Sequence, residues 1–182
     1  MSYYEEQALS LFPYAYNVFL IGFMGSGKTT VSNYLSKRFA MEAVEMDAII
    51  SKREGMSISD IFATKGEEYF RSLESQLLLE IQDKRNVVVS CGGGTPMREN
   101  NVASMKKSGK VVLLTASPET IYYRTKDSHD RPLLENNKNI PYIAGLMEQR
   151  REKYEAAADI IIETDGKDVS AICREILEKF AD

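Results

Sequence analysis

Apolar positions along this chain fall into short unbroken runs separated by longer stretches of helical period. Val18 to Ile21 (VFLI) is one such run and Val87 to Val89 another, and residues 43 to 46 (AVEM), broken by Glu45, also read as a short strand. Val111 to Leu114 and Ile160 to Ile162 complete a set of five. A short run that is apolar throughout, rather than alternating, marks a strand covered on both faces. Between the runs lie helical patterns. One follows a glycine-rich turn and reaches about Phe39. Another begins at Ser57, with Asp60 three residues on as a capping partner. From Gly66 to about Lys84, Phe70, Leu73, Leu77, Leu78 and Ile81 recur on one helical face. Further helices are predicted near 98 to 107, from Ser117-Pro118-Glu119 with Pro at the first helical position, from about Pro141 to Ala158, and over 169 to 180. Strands alternating with helices predict one α/β domain over residues 17–182, a five-stranded parallel sheet between two helical layers. Residues 1–16, aromatic and polar by turns, read as an N-terminal arm. Residues 127–139 (DSHDRPLLENNKN), with Pro and several Asn, read as a mobile loop.

Composition narrows the function. A chain of 182 residues suits one compact domain. Its net charge of −4 argues against nucleic acid or an anionic membrane as a partner, because both favour basic surfaces. Cys91 and Cys173 are the only cysteines and His129 the only histidine, so no zinc-ligand spacing exists. Two distant thiols form no disulfide framework, which points to a reducing, cytoplasmic setting. The first residues lack the basic and apolar regions of a secretory leader, and no apolar run has the length of a membrane span.

One motif carries chemistry by itself. Gly22-Phe23-Met24-Gly25-Ser26-Gly27-Lys28-Thr29 matches G-x-x-x-x-G-K-[ST] and lies between a predicted strand and a predicted helix. Glycines allow backbone N–H groups to surround phosphate oxygens, and the helix N-terminus adds partial positive charge. Lys28 is placed to reach the β- and γ-phosphates of ATP, and Thr29 to put its hydroxyl on Mg²⁺. Gly25, Ser26, Gly27 and Thr30 complete the nucleotide contacts. The loop identifies a nucleotide and not a reaction. A short chain with no strand ending in a Walker B aspartate, and with Arg131 in a late polar loop, suggests a nucleoside-monophosphate-kinase-like fold with a lid.

Four further features join the loop in order: Glu45-Met46-Asp47, Phe70-Arg71, Gly92-Gly93-Gly94, and Arg131-Pro132-Leu133-Leu134 followed by Arg150. With the stretch SISDIFATKGEEYFRSLE, this set resembles the shikimate kinase family from about residue 18 onward. The resemblance implies strand order 2-3-1-4-5, an acceptor-binding region over about 45–80, and transfer of the γ-phosphoryl of ATP to the 3-hydroxyl of shikimate; a monomer is expected because nothing in the sequence suggests an exposed apolar seam. It assigns Asp47 to the shikimate hydroxyls, Arg71 and Arg150 to its carboxylate, and Gly92, Gly93 and Gly94 to a side-chain-free turn against it. Arg131 is expected to close with the lid over the transferring phosphoryl. Arg124 and Lys167 are expected beside the adenine. The family usually has Asp where this chain has Glu45, so Glu45 is expected to organise Mg²⁺ through water and is a second candidate for the base. Each residue also has a plainer reading: Asp47 as a helix cap, Arg71 and Arg150 as solvated helix charges, the glycines as a tight turn. A gluconate or nucleoside monophosphate kinase, and a nucleotide-binding module that has lost chemistry, are the competing functions.

Overall fold

The computed structural model describes residues 12–128, 134 and 138–182. Its strands are β1 (Asn17–Ile21), β2 (Glu42–Glu45), β3 (Val87–Ser90), β4 (Gly109–Thr115) and β5 (Ile160–Glu163). All neighbours pair parallel, in the order β2-β3-β1-β4-β5. The helices are α1 (Lys28–Phe39), α2 (Met46–Glu54), α3 (Ile58–Lys65), α4 (Glu67–Ile81), α5 (Glu99–Ser108), α6 (Pro118–Thr125), α7 (Ile140–Ala157) and α8 (Val169–Ala181), with a 3₁₀ turn at Thr95–Met97. Ser57 and Ser117 cap α3 and α6 as expected, accepting from the N–H of Asp60 and Thr120.

The unbroken apolar runs are explained by two cores, one on each face of the sheet. Phe19, Ile21, Val87, Val89, Val111 and Leu113 point to the face covered by α2 through α7. Val18, Leu20, Val88, Val112 and Leu114 point to the face covered by α1 and α8. Phe12, Tyr14 and Tyr16 of the expected N-terminal arm join the second core, where their rings meet Phe39 and Phe180. The remainder of the arm, residues 1–11, lies outside the described residues, as does most of the 127–139 loop.

One helix differs from the reading of the sequence. Residues 43 to 46 look like a strand, but β2 ends at Glu45 and Met46 opens α2. Met46 and Ile50 are buried one turn apart while the rest of α2 is charged or half-exposed, too thin a stripe to announce a helix. This junction sets both acids: Glu45 closes the strand and Asp47 stands in the first helical turn.

The sheet also contains a buried amide. Asn17 is fully buried, and its side chain donates to Lys84 O at 3.0 Å and accepts from Val87 N at 3.1 Å. It thereby anchors the entry to β3, which ends at the site. Asn17→Ala leaves a buried donor and acceptor unpaired and is expected to cost about 1–3 kcal/mol in urea denaturation.

Candidate active site at the carboxyl ends of the strands

β1 is followed by a helix on one face of the sheet and β3 by a helix on the other, so the chain leaves their adjacent ends in opposite directions. A crevice opens at such a point in parallel sheets. Here it becomes a cavity of about 320 Å³, lined by Gly25, Gly27, Lys28, Thr29, Thr30, Glu45, Asp47, Ser90, Cys91, Gly92, Gly93 and Arg124. Most of the residues singled out in the sequence meet there.

On the nucleotide side, Gly22 to Thr29 wraps the end of β1. Gly27 immediately precedes α1 at φ 100°, and Gly25 turns at φ 80°; both lie in the left-handed region that glycine enters without strain. A Cβ on Gly25 would also stand 2.7 Å from Thr125 Cγ2, so α6 can close on the loop only over a glycine. Lys28 is buried, and its ammonium donates to Gly22 O at 2.8 Å and Phe23 O at 3.1 Å. These bonds fold the lysine back over its own loop. Arg124 donates to Gly25 O at 3.0 Å and to Thr164 Oγ1 at 3.4 Å, which ties α6 to the loop and to the turn after β5. Lys167 does not line the cavity; it lies on the same turn, its ammonium 2.6 Å from Glu175 Oε2.

The Thr29 hydroxyl donates to Glu45 Oε2 at 3.1 Å. Glu45 Oε1 is buried with no hydrogen-bond partner. Burial pushes the Glu45 carboxyl above the usual glutamate range, against the pull of the Ser90 and Thr29 hydroxyls and the Lys28 ammonium. An orphaned carboxylate oxygen beside a threonine hydroxyl at the mouth of a phosphate loop is a set of hard oxygen donors, and it fits Mg²⁺ that keeps most of its waters.

The opposite side is built around Gly92-Gly93-Gly94, and a Cβ on each would meet a different neighbour. A Cβ on Gly92 would come 2.6 Å from Glu74 Oε1 and 3.1 Å from Asp47 Oδ1. On Gly93 it would stand 3.3 Å from Arg150 Nη1 and 3.7 Å from Met24 N. On Gly94 it would collide with the guanidinium of Arg71. Two guanidiniums thus flank consecutive residues of one loop. Arg71, with its side chain only 12% exposed, bonds Glu74 at 2.7 Å and Glu67 at 3.2 Å and lies over the rings of Phe70 and Phe62. Arg150 lies over the ring of Phe23, 5.8 Å from its centroid. The solvated-helix reading of Arg71 is therefore excluded by burial.

Three residues of the site went unread in the sequence. Glu74, fully buried, accepts from Arg71 and, at 2.7 Å, from the Thr95 hydroxyl. Burial raises its carboxyl pKa, with Arg71 and Thr95 pulling it back. A sequence signal was present: Glu74 interrupts the apolar face of Phe70, Leu77 and Leu78. Tyr154 donates to Gly93 O at 2.5 Å, and Ser90 lines the cavity beside Glu45; neither carries a motif. Cys91 also lines the cavity, but burial pushes its thiol far above the usual range, as befits a packed strand-end residue. Arg131 and His129 lie outside the described residues.

Comparison with known proteins points to one family. The family model described as shikimate kinase matches residues 24–181. A shikimate kinase from Sulfurihydrogenibium is 45% identical over 90% of this chain and 96% of its own length. The crystal structure of the Aquifex aeolicus shikimate kinase superposes with TM-score 0.78 at 39% identity, over 91% of this chain and 96% of that one. A shikimate kinase from Acinetobacter baumannii in complex with shikimate superposes with TM-score 0.86 at 31% identity, over 91% and 93% of the two chains.

Gly94 tests the steric reading of the glycine loop. Its φ of −96° suits any residue, and the atoms nearest a Cβ there are those of the Arg71 guanidinium. Gly94→Ala is expected to weaken shikimate binding roughly tenfold or more, the value of a hydrogen bond to a charged group. Titration calorimetry should find ATP binding unchanged.

Proposed function

The chain belongs to the shikimate kinase family, and from that premise we propose which of its residues carry the γ-phosphoryl of ATP to the 3-hydroxyl of shikimate. The observation that carries the proposal is the meeting of two different anion sites in one crevice. A phosphate loop with Lys28 and Thr29 lines the cavity on one side and Gly92 and Gly93 line it on the other; Arg71 and Arg150 do not line it but stand against Gly94 and Gly93 of the same turn.

Lys28 exchanges its two internal carbonyl bonds for phosphate oxygens when the nucleotide enters. The backbone of Gly25 to Lys28 and the N-terminus of α1 add further positive potential. Thr29 would hold Mg²⁺ directly and Glu45 would act through one of its waters; the ion would supply positive charge against the charge that develops in transfer. Arg124 and Lys167 flank the base in this reading, Arg124 from its fixed place on the loop. Arg131 is assigned to the transferring phosphoryl by resemblance.

Shikimate offers one carboxylate and several hydroxyls. Planar guanidiniums bond a carboxylate in two places, which suits Arg71 and Arg150 to that end of the ring. Asp47 accepts from the hydroxyls. The glycine turn lets the ring approach the backbone closely, since no Cβ fits there. The two walls then hold acceptor and donor in line, and positioning of this kind supplies most of the catalysis in phosphoryl transfer.

The exposed large apolar residues Tyr69, Leu79, Tyr123, Tyr142 and Ile161 are spread over α4, α6, α7 and β5, which supports a monomer. Cys91 and Cys173 are free and buried, which supports a reducing cytoplasm. The functional assignment is tested by measuring Mg²⁺- and ATP-dependent ADP release with shikimate, gluconate and nucleoside monophosphates in parallel. Turnover of shikimate alone, lost in Lys28→Ala, is expected. Faster turnover of another acceptor would replace the reading.

Glu45 is expected to act through metal water and not as the base. One oxygen of its carboxylate accepts from the Thr29 hydroxyl, which holds the group beside the residue that would carry the ion, and a loose transition state asks little of a base. Glu45→Gln should therefore raise the Mg²⁺ concentration needed for half-maximal rate and lower the rate moderately. A loss of several orders of magnitude that excess Mg²⁺ fails to restore would assign the base to Glu45 instead.

A further inference from the structure

The carbonyls of the glycine turn are held in two ways. Gly92 O accepts the Thr95 N–H and Gly94 O the Met97 N–H, each at 3.1 Å, as in ordinary turns. Gly93 O, between them, accepts the phenol of Tyr154 at 2.5 Å. The same phenol oxygen accepts from Arg150 Nη1 at 3.4 Å. Tyr154 is 5% exposed and lies one turn after Arg150 on α7, with its ring in the larger core.

From this arrangement we infer that Tyr154 is a positioning residue for the acceptor: its hydroxyl fixes the Gly93–Gly94 peptide and the guanidinium of Arg150 together. The inference rests on the assignment of Arg150 and the glycine turn to shikimate given above. A run of three glycines has the freest backbone a protein can have, and its conformation needs outside restraint. A peptide unit is planar, so holding the Gly93 carbonyl also orients the Gly94 N–H on its other side. That unit is the one lying between the two guanidiniums, Arg150 against Gly93 and Arg71 against Gly94. The hydroxyl is fully used, one bond given and one received, and a packing role for the ring requires neither. Burial raises the phenol's pKa, so it stays protonated and donating through the neutral range. Gly93 also stands beside Gly22 and Met24, so the peptide fixed by Tyr154 borders both walls of the crevice.

Tyr154→Phe keeps the ring and removes the hydroxyl. Steady-state kinetics should show the KM for shikimate raised about three- to tenfold, the factor one net hydrogen bond is worth, with the KM for ATP and kcat within about twofold of wild type. An unchanged KM for shikimate with a lowered melting temperature would make the tyrosine merely structural and overturn the inference. So would equal increases in both KM values. Arg150→Ala is run alongside. If it raises the KM for shikimate and Tyr154→Phe does not, this inference fails alone. If Arg150→Ala leaves that KM unchanged, the acceptor assignment fails and takes the inference with it.

Discussion

A carboxylate removed from water has to be matched by partners, and in this protein Glu74 is matched by Arg71 and Thr95, each at 2.7 Å. The acceptor half of the site follows from that requirement. Arg71 cannot turn outward without leaving a buried charge unpaired, so its guanidinium stays over the glycine turn and Gly94 has no room for a side chain. Thr95 ties the same carboxylate to the 3₁₀ turn, and Asn101 extends the tie by donating to Thr95 O and accepting from Ser75. Helix α4, the turn and α5 are thus joined by one polar chain inside an apolar core. Such a network rigidifies its surroundings when every member is satisfied.

The nucleotide half is organised by the opposite sign. Lys28 holds its own loop closed through two carbonyls, and the Glu45 carboxylate waits beside Thr29 with one oxygen unpartnered. Both are arrangements that bound phosphate and metal would complete. The usual family residue at position 45 is one methylene shorter, yet the glutamate reaches the Thr29 hydroxyl directly. The departure therefore still leaves a carboxyl group against the Thr29 hydroxyl.

Helix α7 joins these halves to the rest of the fold. It follows the 127–139 loop, carries Arg150 toward the P-loop ring of Phe23, and bonds the glycine turn through Tyr154. The opposite core, with α1, α8 and the aromatic cluster around Phe12, sits behind the sheet and bears no acceptor residue. The first turn of α1 on that face supplies Lys28, Thr29 and Thr30 to the cavity, so both faces feed the site, and Asn17 pins β1 to the start of β3.

The local signals in the sequence determined a good deal. Unbroken runs such as VFLI and Val87 to Val89 required strands covered on both faces, and alternation with helices required a parallel sheet. The P-loop was legible because its glycines and Lys28 are adjacent in the chain, where backbone geometry alone makes the site. The tertiary structure decided what adjacency could not express. Arg71 and Gly94 are over twenty positions apart, and only packing shows that one forbids a side chain on the other. Glu74 broke the apolar face of its helix, but only packing made that break the partner of Arg71, and Tyr154 carried no signal because its role is a hydroxyl aimed at a carbonyl 61 positions away. The helix α2 was hidden for a related reason: its buried stripe is only Met46 and Ile50, and it is held by neighbours rather than by its own pattern. Sequence determines what neighbours along the chain can do to one another; contacts made across the fold exist only once burial has removed the alternatives in water.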